Sequence, residues 1–400
     1  MRQNSLAAVP KEWDRSGLPG WTYTSAELLE LESELLFRSH WQLICHVADV
    51  AEPGDFVTLD VCGERALVVR GRDGVVRAFH NLCRHRGSRL VAEERGNVRG
   101  LLICPFHGWT YNLDGCLRGV AHPKSLPPLD PVEWGLKPLE TEIWHGFVFV
   151  RFKPGPQPSV AEVMARHEAE IAPYGVAAMT ATHPIDWGEE SPVNWKAVRD
   201  VDNEGYHVAM AHPGLHELYG RYYLDEAFHK GSSRSFATFN PGEGRIWSVR
   251  AYKSILPEVP SLPETHRRAW LYLAMFPNTV IALYPDSVLF YQEFPLAVDR
   301  TLIRGAVYAR PDEDRALRAA RYLSGRIDKL TAEEDKQLTI WSCEATQSSA
   351  YDGVLLTDLE YGVKTYHDHL RALMPVMNLD DSPEPGTLAD VNTQMLAGKA

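Results

Sequence analysis

Residues 80–110, HNLCRHRGSRLVAEERGNVRGLLICPFHGWT, hold Cys83-x-His85 and Cys104-x-x-His107, with eighteen residues between His85 and Cys104. A fold that accommodates both segments has to bring two thiolates and two imidazoles together on two short, similarly shaped turns. That donor set is what a [2Fe–2S] cluster needs when one iron is held by two cysteines and the other by two histidines. Zinc can use the same four donors, but zinc fingers usually group their cysteines in one close pair and their histidines in another. Here each turn brings one of each, as expected if each ligates both irons. Four unrelated buried residues would not explain Gly87 and Gly108 just after the histidines, or Pro105 inside the second turn. Histidine ligation raises the potential of such a centre above that of plant-type ferredoxins, so it can collect electrons from a ferredoxin or a flavin and pass them on.

At 400 residues the chain is long enough for two or three domains with their own cores. Apolar residues make up 44% and charged residues 24%, ordinary values for a globular protein. No 18-residue apolar run is present and the N-terminal stretch has no signal-like apolar core, which makes the cytoplasm the expected compartment. Six cysteines are too few for a disulfide framework; Cys45, Cys62, Cys116 and Cys343 read as buried free thiols. A net charge of −12 argues against a nucleic-acid partner.

After a loose, Pro-containing start, Thr24-Ser25-Ala26-Glu27 fits a capping box leading into a helix that ends near Trp41. Residues 42–80 read as short strands with turns at Pro53-Gly54 and Asp73-Gly74, and Asn112-Leu113-Asp114-Gly115 signals a hairpin. The stretch KPGPQP at 153–158 marks a boundary. The expected organisation is an N-terminal helical segment (1–41) packing on the catalytic domain, an all-β cluster domain (42–153) and a catalytic domain (154–400). In the last, the pattern predicts a helix at about 193–210 and strands at about 233–240, 244–252, 269–275, 279–284, 287–295 and 299–309. Helices at about 311–326, 332–346 and 357–373 follow, then a loose polar tail. The fold class is α+β.

A second metal site is suggested by Glu204-x-x-His207-x4-His212. In an unbroken helix, residues five apart point about 140° apart. A helix that relaxes or ends before Pro213 can bring both imidazoles to one iron. Two histidines and one carboxylate leave coordination positions open for dioxygen. No local rule fixes the carboxylate, and Glu204, Asp286, Glu333, Glu334 and Asp335 are all candidates.

With these motifs in place, the chain resembles the α subunit of Rieske non-haem iron oxygenases from about residue 20 to 375. The matching segments are C83-R-H85-R-G, C104-P-F-H107-G-W, E204-G-Y206-H207-V-A-M-A-H212-P and T331-A-E-E334-D335. The resemblance implies a Rieske domain inserted before a helix-grip-like catalytic domain with an antiparallel sheet and flanking helices. It implies that Cys83, His85, Cys104 and His107 hold the cluster and that His207, His212 and Asp335 bind Fe(II), with Glu334 the near alternative to Asp335. Glu204 then links the cluster of one subunit, through a cluster histidine and preferably His107, to the iron of its neighbour in a head-to-tail homotrimer. Asp200 stands where ring hydroxylators often carry an amide and is a further catalytic candidate. Dioxygen is the co-substrate, and electrons come from NAD(P)H through a separate reductase with flavin and [2Fe–2S] centres.

The string also resembles the glycine betaine, proline betaine and carnitine branch, which implies hydroxylation of an N-methyl group and loss of formaldehyde. A quaternary ammonium cannot donate a hydrogen bond and is held by aromatic faces, with an acid nearby. Trp247, Tyr252, Trp270, Tyr272, Phe276, Tyr284, Phe290, Tyr291 and Phe294 offer such faces, although strands commonly bury aromatics for packing alone. Arg250, Lys253 and Arg304 are available for a betaine carboxylate. The alternatives are hydroxylation or O-demethylation of an aromatic acid by the same ring-lined cavity, and a Rieske electron-transfer protein without catalytic iron.

Overall fold

The computed structural model describes residues 9–398, apart from the side chains of residues 183–187; the start of the expected loose N-terminal segment lies outside the described residues. The chain forms two units. One takes the chain up to Ser33, Val163–Gly175 and everything from Thr182 onward; the other takes Glu34–Glu162 and Val176–Ala181. The second unit therefore begins ahead of the expected residue 42 and ends beyond 153. Among the described residues no helix is long and apolar enough to cross a membrane.

The cluster-bearing unit is built from three small sheets. Four strands run in the order Val76–His80, Glu64–Arg70, Asp55–Val61, Arg95–Asn97, and a short sheet is ordered Leu102–Ile103, Thr110–Tyr111, Leu117–Gly119. A third is ordered Gln42–His46, Phe147–Arg151, Glu140–Trp144. The expected hairpin forms at Asn112–Gly115, where the Gly115 amide donates to the Asn112 carbonyl and Gly115 takes φ +89°. Phe56, Leu67, Phe79, Leu102, Trp109 and Tyr111 pack into one core, and Cys83 and Cys104 belong to it. Of the four other cysteines only Cys45 is buried; Cys62, Cys116 and Cys343 are half-buried, a correction to the sequence reading.

The larger unit holds a seven-stranded sheet ordered Thr180–Ser191, Arg300–Ala309, Ser287–Ala297, Thr279–Leu283, Ala269–Met275, Ser232–Thr238, Tyr223–Asp225. From Arg300–Ala309 across to Tyr223–Asp225 every pairing is antiparallel. Side chains alternate across a sheet. Trp270, Ala282 and Leu289 therefore face Leu215, Leu218, Val249, Tyr252, Ala320, Leu323 and Ile327 in one core, with Tyr272 and Tyr291 packed against it.

The expected strand at 244–252 is instead largely the helix Trp247–Ile255, because Val249, Tyr252 and Leu256 recur at helical spacing against that core. The helices expected at 311–326 and 332–346 are one helix, Arg315–Ala345, capped where Asp314 accepts the Leu317 amide at 2.8 Å. No proline interrupts it, and Thr331, which resembles a helix start, sits within it. The expected loose tail carries the helix Leu388–Ala397.

The N-terminal helix Ala26–Glu32 starts at Ser25, whose hydroxyl accepts the Leu28 amide, one residue later than the capping box predicts. Its last residue, Glu32, is fully buried and accepts from Trp195 Nε1 at 2.7 Å and Lys196 Nζ at 2.6 Å. Removing one partner of a buried ion pair leaves the other charge uncompensated. Glu32→Ala is expected to destabilise the larger unit by about 3–5 kcal/mol, read as a lower urea midpoint, while Glu34→Ala at the partly exposed Lys153 pair costs less than about 1 kcal/mol.

Candidate functional site

The two cluster turns share one backbone. The Cys83 amide donates to the Ser88 carbonyl at 2.8 Å and the Gly87 amide to the Cys83 carbonyl at 2.9 Å. The Cys104 amide donates to Trp109 at 2.8 Å and the Gly108 amide to Cys104 at 3.0 Å. Gly87 (φ +71°) and Gly108 (φ +70°) close the turns in the left-handed region, which a side chain rarely adopts. Histidine is the third residue of the first turn and the fourth of the second, yet the rings meet with centroids 4.7 Å apart. Asn81 clamps the base of the first turn by donating to Val91 and accepting from the Leu90 amide.

These four residues fit the cluster. Both sulfurs are buried and close enough to hydrogen-bond each other, and burial, with Cys104 adding to it, pushes the Cys83 thiol pKa up. His107 Nδ1 is buried with no hydrogen-bond partner, as a nitrogen reserved for a metal would be. The Tyr111 hydroxyl accepts from the Arg84 amide at 3.0 Å, which leaves its proton for the Cys83 sulfur 3.3 Å away.

The second site depends on a break in the expected helix at 193–210. The helix Trp195–Asp202 stops, Asn203–Gly205 turns, and the short helix Val208–Ala211 leads to His212 and Pro213. A Cβ on Gly205 would lie 2.2 Å from the Tyr223 ring, so only glycine lets the turn pack there. Glu204 holds the turn from its own side chain, accepting from the Tyr206 amide and, at 3.1 Å, from the His207 amide.

This break brings His207 Nε2 to 3.0 Å from His212 Nε2. Asp335, from the helix Arg315–Ala345, places Oδ1 at 2.9 Å from His212 Nε2 and 3.5 Å from His207 Nε2. Bonds of about 2.1 Å meeting a metal at about 90° set ligand atoms about 3.0 Å apart, so these distances suit three ligands on one face of an octahedron. His207, His212 and Asp335 each bring one ligand atom within 4.8 Å of the others. The far nitrogens are both held: His207 Nδ1 lies 2.5 Å from Glu204 Oε1, and His212 Nδ1 lies 2.9 Å from Glu334 Oε2. A carboxylate on Nδ1 fixes the tautomer that leaves Nε2 free for a metal. Glu334 is thus the orienting partner of His212, and Asp335 is the carboxylate of the triad. Burial lowers the His207 pKa, but the Glu204 hydrogen bond and the charges of Glu204, Asp335 and Asp202 outweigh it and hold it above the ordinary range. So anionic a pocket suits a dication.

Asp200 lies apart from the triad. Its carboxylate accepts from the Tyr23 hydroxyl at 2.5 Å and pairs with His367 Nε2 at 2.7 Å. Among the other acids considered, Asp286 is buried with Tyr252, Ser287 and Ser324, and Glu333 lies 3.9 Å from Lys329. Of the aromatics, Tyr284 bonds Tyr272 and Asp328, which precedes Asp335 by seven residues on the same helix, and Tyr291 donates to Asp202. Trp247 is exposed on its helix, and Phe290 faces away with Tyr308. Tyr219 and Tyr223 join them, and nothing in their spacing marks them in the sequence. The basic candidates go elsewhere: Lys253 donates to backbone carbonyls, Arg250 to the Arg245 carbonyl, and Arg304 stacks over Phe290.

Residues 165–376 match the ring hydroxylating alpha subunit (catalytic domain) family, and residues 40–130 match the Rieske [2Fe-2S] domain. The carnitine monooxygenase oxygenase subunit of Acinetobacter pittii is 30% identical over 254 residues, covering 58% of this chain and 66% of the relative. The glycine betaine monooxygenase oxygenase subunit of Pseudomonas aeruginosa is 35% identical over 198 residues, covering 50% and 45%. The chain thus spans between 45% and 66% of the length of these two curated relatives. A quaternary ammonium Rieske monooxygenase solved with L-carnitine superposes with a TM-score of 0.72 at 23% identity, over 89% of this chain and 95% of that one. Naphthalene 1,2-dioxygenase with indole gives 0.71 at 19%, over 96% of each chain, so the fold is common to both groups.

Two measurements check these assignments. Asp335→Ala is expected to remove mononuclear iron while leaving the visible spectrum of the cluster unchanged, whereas Glu334→Gln weakens iron binding about 10–100-fold without abolishing it. Tyr111→Phe is expected to lower the one-electron reduction potential of the cluster by about 45 mV in a redox titration, the equivalent of about 1 kcal/mol of hydrogen bonding to sulfur.

Proposed function

The chain belongs to the ring-hydroxylating oxygenase α-subunit family, and within it we propose that the protein is a Rieske monooxygenase that removes N-methyl groups from a quaternary ammonium compound such as glycine betaine, proline betaine or carnitine. The observation that carries the oxygenase reading is the facial arrangement of His207, His212 and Asp335 in a chain that also bears the paired cluster turns. The substrate class is supported by the tyrosines joined to Asp328, on the helix that also carries Asp335, and by relatives named for carnitine and glycine betaine.

Cys83, His85, Cys104 and His107 would hold the cluster, and His207, His212 and Asp335 the iron. Together these groups supply one-electron transfer and reductive activation of dioxygen. In the net reaction one N-methyl carbon gains an oxygen atom, the second oxygen leaves as water, and two electrons and two protons are consumed. The resulting N-hydroxymethyl group then breaks its C–N bond to give formaldehyde and the demethylated amine. The protein's part is positional. Glu204 and Glu334 hold the two imidazoles in register. Glu204 also offers a carboxylate to a cluster histidine of a neighbouring copy, which makes it the bridge of a head-to-tail homotrimer. Exposed Tyr206 and Met210 near Glu204, and exposed Ile103 and Phe106 beside His107, are apolar surface suited to such docking. Asp200 acts as a positioning residue, tying the helix Trp195–Asp202 to Tyr23 and to His367 of the helix Tyr361–Leu373. Electrons come from a flavin and [2Fe–2S] reductase that draws on NAD(P)H in the cytoplasm.

Single-turnover assays of the reduced protein with glycine betaine, proline betaine and carnitine are expected to release formaldehyde in step with oxygen consumed. His207→Ala keeps the cluster spectrum and loses this product. A hydroxylated aromatic product with no formaldehyde from any N-methyl compound would overturn the substrate class, and turnover by His207→Ala would overturn the oxygenase reading.

A further inference from the structure

Asp328 precedes Asp335 by seven residues on the helix Arg315–Ala345, hence two turns and about 10 Å along the same face. Its Oδ1 accepts from the Tyr284 hydroxyl at 3.0 Å, and the Tyr284 hydroxyl lies 3.4 Å from that of Tyr272. Tyr219 hydrogen-bonds Tyr272 in turn. Three rings from three separate segments therefore form a chain of hydroxyls that ends on one carboxylate. Tyr291 closes the side nearer the triad, donating at 2.5 Å to Asp202, five residues before His207. Tyr272 and Tyr291 pack against the apolar core, and both of them and Asp328 keep accessible surface.

Asp328 differs from the other acids of this unit: Asp225 and Asp286 also lack a cation but are buried among hydroxyl partners, whereas Asp328 keeps accessible surface. Glu32 has Lys196, and Glu293 and Asp202 share Arg199. The groups facing Asp328 are Tyr219, Tyr272 and Tyr284, with Tyr252 and Asp286 behind them, and none is a cation. Ionising this half-buried carboxyl without a basic partner is costly unless a positive group arrives to meet it. Tyrosine faces are attractive surfaces for a cation that cannot donate hydrogen bonds.

Building on the quaternary ammonium reading above, we propose that Asp328 is the counter-charge of the substrate cation and that Tyr272, the ring of this hydroxyl chain that keeps accessible surface, is the face it rests against. The assignment makes Asp328 the specificity-determining residue for positive charge, separate from the residues that hold the iron. Burial, with Asp286 adding to it, pushes the Asp328 pKa up to about 8 against the Tyr284 hydrogen bond, so in the free protein at neutral pH the group is largely protonated. A bound cation favours the ionised form. Affinity for the cation therefore rises with pH by up to about tenfold per unit below about 8 and then levels off, while a neutral ligand shows no such slope.

The test uses two ligands of one shape that differ in charge, choline and its carbon isostere 3,3-dimethylbutan-1-ol, titrated calorimetrically into the anaerobic holoenzyme. The wild-type protein is expected to prefer choline at least tenfold, with the pH slope just described. Asp328→Asn keeps a partner for Tyr284 and is expected to lose that preference while its affinity for the alcohol and its cluster spectrum stay unchanged. Asp328→Glu restores part of it. A choline preference that survives in Asp328→Asn overturns this assignment and leaves the quaternary ammonium reading standing; a wild-type protein with no preference overturns both. Should the Asn variant fail to fold, the wild-type pH profile decides: a flat choline affinity between pH 6 and 8 overturns the role of Asp328.

Discussion

Two imidazole nitrogens 3.0 Å apart, with a carboxylate oxygen 2.9 Å from one and 3.5 Å from the other, make an arrangement that needs a positive charge at its centre. The larger unit is organised to maintain it. The helix Trp195–Asp202 ends where it does because Glu204 caps the next turn and Gly205 fits beneath Tyr223. The helix Arg315–Ala345 delivers Asp335 to the metal position and Glu334 to the back of His212 in consecutive residues. The sheet gives this helix an apolar floor through Ala320, Leu323 and Ile327.

Carboxylates do several distinct jobs in one small volume. Asp335 faces the metal position. Glu204 and Glu334 fix the tautomers of the histidines that do the same. Asp202 is neutralised by Arg199, and Asp328 faces tyrosines with no basic partner. Identical chemistry is separated into roles by what each side chain meets, in the way that paired acids elsewhere are separated by burial and neighbouring charge.

The cluster turns show how far a short motif can carry. Their cysteines, histidines and glycines are contiguous in the sequence, and the repeated Cys-to-Gly and Cys-to-aromatic or serine backbone bonds follow from that local pattern. The donor set, the likeness of the two turns and the β platform beneath them were legible before any coordinates. The Tyr111 hydroxyl on the Cys83 sulfur was not, because Tyr111 lies on the next strand and reaches the first turn only through the fold.

By itself the sequence determined what is local: the two cluster turns, the Glu204–His207–His212 spacing, most strands of the large sheet and the α+β class. Tertiary structure decided what depends on distant neighbours. It made Asp335 and not Glu334 the third ligand, because consecutive helical residues point about 100° apart and only one can face the iron. It turned 244–252 into a helix, since the core decides which period is buried. It also selected Tyr219, Tyr223, Tyr272, Tyr284 and Tyr291 from many aromatics, because alternation across the sheet sends Phe290 to the opposite face.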